Sequence, residues 1–491
     1  PGQCGHLLVG EDFRYTPKRD FRIDMPGMMP DTVAYLETSF VANGSQATTV
    51  AYSANGSELE YQASDRLYAN NDEHTHGTES LSRRELRDLT KEQLTIGVNY
   101  TNGSTVSLAN LNYIAVNYLR ALDATALAGK PFTLQSNRRK AALSGAGAET
   151  VVWDVTDPMA VARVNASLSG STLSWTSDYY SDRTYAAWTP QMAMPSPTVA
   201  GTVNAQNLHA LPVTDMVIIT APDWRDQAER LAEFHRRPGP DSLSVTVLTP
   251  EAIYNEFSSG QPDVMAFRKF FKMMYDRGTE AGHPLRYAVI MSRVTFDNRR
   301  ITPQIKALSY PTLPAWFTDA GLSDNSAYTT DDVMAFLEDG SGRDKGRDRL
   351  SIAIGRLPVT SVSSARDAVD KIINYSTSSP KGNWRNHVLF LADDQDSNIH
   401  SQQSERQQRY MKASDGGPEL FYKKVYVDQY DLISNQCVQG RADFYRYLDE
   451  GVMWWSYIGH ASPTALTAEG IVTYTDLNGL YMRHWPVIYA A

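Results

Sequence analysis

The pair of residues best suited to chemistry in this chain is Gly459-His460, which ends the apolar run from Met453 to Ile458. Further on, Pro486-Val-Ile-Tyr-Ala-Ala491 forms a second short apolar run. Between them Thr475-Asp476 reads as a helix N-cap, followed by the stretch from Leu477 to Met482. Strand, helix, strand implies a right-handed crossover between parallel neighbours, so both carboxyl ends reach the same edge of one sheet. A histidine at the tip of one strand and a nucleophile at the tip of the next would form a dyad. In it the imidazole activates the nucleophile and then protonates the leaving group. An isolated Gly-His is equally compatible with a histidine that only caps a loop by hydrogen bonds.

Ala392-Asp393-Asp394-Gln395-Asp396 follows another buried run, so its carboxylates belong at the same sheet edge as His460. One of them could hold the imidazole in a single tautomer, with Asp394 preferred to Asp393. Asp393, Asp396 and Asn398 also supply hard oxygen ligands for calcium, and a solvated loop explains the cluster as well. Other clusters invite less. Glu73-His74-Thr75-His76 has metal-compatible types in a polar loop, and Asp331-Asp332 with Glu338-Asp339 reads as calcium ligands or as cap and turn residues. Gly340-Ser-Gly-Arg-Asp-Lys-Gly lacks the Gly-Lys-Ser/Thr ending of a phosphate loop. The two cysteines, Cys4 and Cys437, cannot build a disulfide framework. Neither is the expected nucleophile: Cys4 stands at the start, and Cys437 falls in a polar loop before a helix predicted over 442–450.

The elements that must position these groups change character along the chain. Up to about residue 205, period-two alternation dominates, as in the runs starting at Val33, Thr48, Leu94, Ser171 and Thr184. Asn-Gly at 43, 55 and 102 supplies hairpin turns, and with Asn165 these also form four Asn-x-Ser sequons. An all-β sandwich, jelly-roll-like, is expected over 1–205, with one short helix within 83–95 and a proline-rich linker over 190–201. From Leu211 onward, continuous apolar strands alternate with amphipathic helices, among them 223–236 capped by Asp223 and 263–277 capped by Asp263. That pattern predicts a doubly wound α/β sheet, dividing near Pro358 into sub-domains 206–358 and 359–491. Crossover helices are expected over 363–375 and 402–411.

Composition bounds the function. A chain of 491 residues exceeds one compact core. Its 42% hydrophobic and 21% charged content is that of an ordinary globular protein. Net charge is −10, with a pI near 5.5 and no basic run longer than the three residues Arg138-Arg139-Lys140. Phosphate binding needs a clustered basic face, so nucleic acid is excluded as a partner. No apolar stretch has the length to cross a bilayer as a helix.

Tyr457-Ile-Gly-His-Ala-Ser462 followed by Val487-Ile-Tyr-Ala-Ala491 resembles the gingipain family of cysteine peptidases. Further matching blocks are Glu256 to Asp263, Ile354 to Val359 and Ala392-Asp-Asp394, so the resemblance covers about 211–491. One departure is Ala461, where many relatives have glycine. The resemblance implies a caspase-like fold, His460 as catalytic base, and a nucleophilic cysteine just after Ala491. It also implies an oxyanion hole made by the backbone N–H groups of Ala461 and that cysteine. A chain ending at Ala491 is accordingly expected to be inactive. Trp454-Trp455, Glu469-Gly-Ile471 and Val152 to Pro158 point to the sortase-like branch of the family that serves type IX secretion. Its members remove the C-terminal signal domain from secreted cargo and pass the cargo to anionic lipopolysaccharide. They do so on the outer face of the outer membrane in Gram-negative Bacteroidetes, held by an outer-membrane β-barrel anchor protein. No cofactor is required on this reading, and calcium is the ion the acidic cluster suits. The alternatives are a secreted protease that only hydrolyses, and a scaffold of the secretion machinery without catalysis.

Overall fold

A computed structural model describes residues 9–490 apart from 69–74, 102–105, 128, 138, 179, 191, 194–195, 200, 296, 319–320, 324–325, 344–346, 378–380, 463 and 480–487. Cys4, Glu73 and His74 therefore lie outside the described residues. The chain divides into two compact units, one built on residues up to 210 with 296–298 and 314–333, the other from 211 onward.

In the first unit the strand Ala34–Gly44 pairs antiparallel with both Thr78–Leu86 and Val106–Asn117. Lys18–Asp24, Gln93–Thr101 and Thr48–Ala54 form a second antiparallel sheet. Alternation puts Leu36, Phe40, Val50, Leu94, Ile96 and Tyr100 into one core, with Phe40 stacked on Tyr100 at 5.4 Å between ring centres. A second core, around Phe132, Leu143, Trp175 and Tyr185, belongs to two smaller antiparallel sheets over 132–188. The first 205 residues thus hold two β-modules where the alternation alone suggests one sandwich. The helix expected within 83–95 is absent. Arg84 sits inward on the Thr78–Leu86 strand, where its guanidinium pairs with the buried carboxylate of Asp65. A charged residue that reads as helix surface is here a satisfied buried ion.

The second unit contains two four-stranded parallel sheets with the same strand order. In the first, the order is Val245–Leu248, Met216–Thr220, Tyr287–Met291, Ala353–Leu357. In the second, it is Phe421–Tyr426, His387–Ala392, Trp454–Ile458, Ile488–Ala490. Each sheet starts at its second position, steps outward once, then reverses. The reversal opens a crevice at the carboxyl ends of the two middle strands, which is where doubly wound sheets place their sites. Apolar runs explain the burial: Val217, Ile218, Ile219 and Val388 to Ala392 are all fully buried.

Helix boundaries follow local chemistry. Asp263 caps Val264–Glu280 as expected, accepting from the Met265 N–H at 2.9 Å. Asp223 does not cap Arg225–Arg236. A 3₁₀ turn over Pro222–Trp224 leads in, and buried Trp224 anchors it by donating its indole N–H to the Met291 carbonyl at 2.7 Å. The helix Tyr474–Gly479 opens on Thr473 rather than Thr475. The Thr473 N–H donates to Asp476 at 2.8 Å, and the Arg441 guanidinium grips that carboxylate and holds it far below the usual range. The helix read over 402–411 begins at Gln395 and runs to Ala413, broken at its start by three left-handed residues, Asp396 to Asn398.

Candidate active site

In the second sheet the register sets Leu391 beside Tyr457 and Ala392 beside Ile458. Asp393 and Gly459 therefore leave the sheet next to each other, at the reversal. Asp393 is fully buried, and its two carboxylate oxygens are both engaged by backbone. One accepts from the Asp394 N–H at 2.9 Å, the other from the His460 N–H at 3.1 Å. The Asp393 N–H itself donates to the Ile458 carbonyl at 3.2 Å. This carboxylate fixes the histidine's backbone, not its ring. Gly459 makes the approach possible: its φ is +157°, and a Cβ there would lie 2.4 Å from Asp393 Cβ and 2.6 Å from the Tyr457 hydroxyl. Tyr457, nearly buried, donates its hydroxyl to the His460 carbonyl, and the Thr467 N–H donates to both oxygens at 3.1 Å. The loop is held from below on every side.

The imidazole stands above this clamp with its side chain 55% exposed. Its Nε2 lies 2.8 Å from Asp396 Oδ2. The carboxylate within hydrogen-bond distance of the ring is thus Asp396, two residues beyond Asp394, the one expected to orient it. The physical reason is the left-handed run, with φ of 56°, 57° and 62° at Asp396, Ser397 and Asn398, which swings the chain back over the sheet edge. Asp and Asn tolerate that conformation better than most residues. With Nε2–H donating to Asp396, the neutral ring keeps its acceptor lone pair on Nδ1, the form a general base needs. Ala461, the next residue, is exposed and bridges antiparallel to Leu466.

Asp394 faces a different group. Its carboxyl oxygens gather with those of Asp393 and Glu469, one from each within 4.8 Å. Burial, with Asp393 and Asp428 adding to it, raises the Asp394 carboxyl above its ordinary value. Burial, with Asp394 and Asp393 adding to it, does the same for Glu469. This oxygen-only cluster has the chemistry of a calcium ligand set, though both Asp393 oxygens already accept backbone N–H groups. Of the carboxylates read as calcium ligands, Asp393 and Asp396 fall in separate clusters, Asp396 with His400 and His460. His400 meets His460 edge-on at 5.1 Å. Neither His400 nor the clamp residue Tyr457 stands out in the sequence. The one signal for His400 is its closeness in sequence to Asp396, four residues before it.

Cys437 ends an exposed polar loop at the N-cap of the helix Val438–Glu450, with its side chain turned into the core. It is 1% exposed, packed with Phe444, Trp455 and Tyr457, and burial pushes its thiol up, away from the reactive thiolate. Glu338 and Asp339 serve structure: the Tyr275 hydroxyl donates to Glu338 at 2.9 Å, and Lys272 pairs with Asp339 at 2.9 Å. No helix among the described residues is long and apolar enough to cross a membrane.

Comparison with known proteins places this geometry. Residues 209–491 match the model of peptidase family C25. Among solved structures, dimeric latent PorU from Porphyromonas gingivalis superimposes with a TM-score of 0.65 at 23% identity, over 76% of this chain and 36% of that one. The Arg-specific cysteine proteinase gingipain R matches at 17% identity and a TM-score of 0.39, over 59% of this chain and 56% of that one. No curated protein sequence matches. The chain thus shares the PorU fold and spans about a third of the PorU chain.

Proposed function

The chain belongs to peptidase family C25, and from that premise we propose that it acts as a sortase-like cysteine endopeptidase of type IX secretion. On this reading it removes the C-terminal signal domain of secreted cargo at the outer face of the outer membrane, beside a β-barrel anchor protein. The cargo then passes to an amine of anionic lipopolysaccharide. The observation that carries the reading is His460, set at the reversal of a parallel sheet with its backbone clamped by Asp393 and its ring held by Asp396.

The parallel neighbour of the histidine's strand, Ile488–Ala490, leads toward the edge where the imidazole stands, and the family pattern puts the nucleophilic cysteine next in that direction. His460 Nδ1 takes the thiol proton as sulfur attacks the scissile carbonyl, then gives it to the departing amine, leaving a thioester. The second half runs the same proton path in reverse: the incoming amine attacks the thioester, imidazole accepts its proton, and the thiol is restored. The Ala461 N–H, next in the chain after His460, serves the oxyanion of each tetrahedral intermediate. Asp396 stabilises the imidazolium formed in both halves, and Asp394 takes no part in ring orientation.

The test uses the full-length enzyme, a cargo bearing its C-terminal signal domain, and increasing concentrations of a glycine peptide. Mass spectrometry of the new cargo C-terminus should show free acid giving way to amide. Free acid at every amine concentration, with cutting of unrelated proteins, would make it a hydrolytic protease. No cleavage at all would leave a scaffold.

A further inference from the structure

We infer that Asp396, His400 and His460 form a binding site for a borderline divalent transition ion, zinc foremost, which shuts off the histidine base when it binds. The inference rests on the reading of His460 as that base.

His400 provides the independent observation. It lies on the helix Gln395–Ala413 with its side chain only 12% exposed, and neither ring nitrogen has a hydrogen-bond partner among the described residues. A buried imidazole normally satisfies at least one nitrogen. Its Nε2 points at Asp396 Oδ2 from 3.6 Å, too far for a hydrogen bond, while its ring packs edge-on against His460. The same Asp396 oxygen lies 2.8 Å from His460 Nε2, and one donor atom from each of the three residues falls within 4.8 Å of the others. Tetrahedral zinc, with bonds of about 2.0–2.1 Å, needs donors about 3.3 Å apart. The two measured spacings bracket that value.

The donor set selects the ion. Two imidazoles and one carboxylate suit zinc, cobalt or nickel, whereas calcium requires oxygen ligands. Three protein ligands leave a fourth position open, as in zinc sites that retain a water. Binding also has a defined consequence for the base. Metal on Nε2 moves the single ring proton of neutral His460 to Nδ1, with no net proton released. The Nδ1 lone pair that would accept the nucleophile's proton is then occupied. The ion is therefore an inhibitor competing with the working tautomer, bound where Asp396 otherwise holds Nε2–H.

Cobalt(II) is the probe, titrated into the 491-residue chain while visible d–d absorption is followed, with zinc added afterwards. The expected result is a saturable one-to-one band that zinc bleaches. His400→Phe, which keeps the packing, and Asp396→Asn, at an exposed position that the core does not need, should each weaken binding by about tenfold or more. Glu469→Gln, in the other cluster, should leave it unchanged. No band, or a band that survives both His400→Phe and Asp396→Asn, overturns the site. The titration needs no turnover, so the two readings fail separately. Cobalt bound by a protein with no peptidase activity sinks the proposed function alone, and an active enzyme without the band sinks this inference alone.

Discussion

The two parallel sheets of the second unit share a strand order and a reversal, yet they treat that reversal in opposite ways. In the first sheet the carboxyl edge is sealed. Trp224 fills it, only 2% exposed, bonds its indole to Met291, and packs with Ala221, Met291 and Val359. In the second sheet a fully buried carboxylate occupies the corresponding level, and the ring above it reaches solvent. The same topology thus holds a buried indole once and an exposed imidazole once. What differs is the residue that satisfies the loop's backbone: an indole satisfies one carbonyl and excludes water, whereas Asp393 satisfies two N–H groups and lets His460 project. The crevice is permitted by the fold and made into a site by side chains.

That contrast can be broken where it is strongest. Trp224→Ala should cost about 3–5 kcal/mol of stability, read by denaturant unfolding, because a large buried ring leaves a cavity. The turnover of the remaining folded enzyme should not change. A lost rate at full stability would mean that the first sheet also takes part in the chemistry. Asp396→Asn should do the converse: kcat/KM falls roughly ten- to a thousandfold through the wrong tautomer, with unfolding unaltered. Asp394→Asn should leave the rate near wild type. A large loss in Asp394→Asn with none in Asp396→Asn would reassign the orienting carboxylate.

The smallest effect is on pH dependence. Asp394 and Glu469 have raised carboxyl values in the fold, so the unfolded chain loses these protons first as pH rises. The contribution of these two groups to stability should therefore fall as pH climbs from about 4 through the raised folded values, and hold at lower pH. Glu469→Gln should lift the melting temperature at pH 7 but not at pH 3.5. A higher melting temperature at both would show that the gain comes from packing, not charge.

How much of this was legible in the residues follows the same division. His460 could be placed from sequence because strand, helix and strand fix which ends share an edge, and continuous apolar runs mark buried parallel strands. Asp263 was readable because an N-cap is a local device. Asp396 was not: its role depends on three successive left-handed residues, which no periodicity announces. Cys437 looked polar from Asn435-Gln436 beside it, yet the chain tucks it against Gly440, where a Cβ would come within 2.4 Å of its sulfur. Arg84 misled for a similar reason, since its partner Asp65 is distant in sequence. The sealed edge of the first sheet hides in a single tryptophan whose indole contact with Met291 spans 67 positions. Local signals carried the elements, while long-range contacts decided which edge is closed by an indole and which presents an imidazole.

The central claim is that His460, at the open edge of the second sheet, drives formation of a thioester between cargo and enzyme. It is tested most directly by intact-mass spectrometry of the full-length enzyme quenched in acid shortly after mixing with cargo. The wild type should show a covalent cargo–enzyme adduct that disappears when a glycine peptide is added, and His460→Ala should show neither adduct nor cleaved cargo. Cargo cleavage by His460→Ala at the wild-type rate would contradict the account.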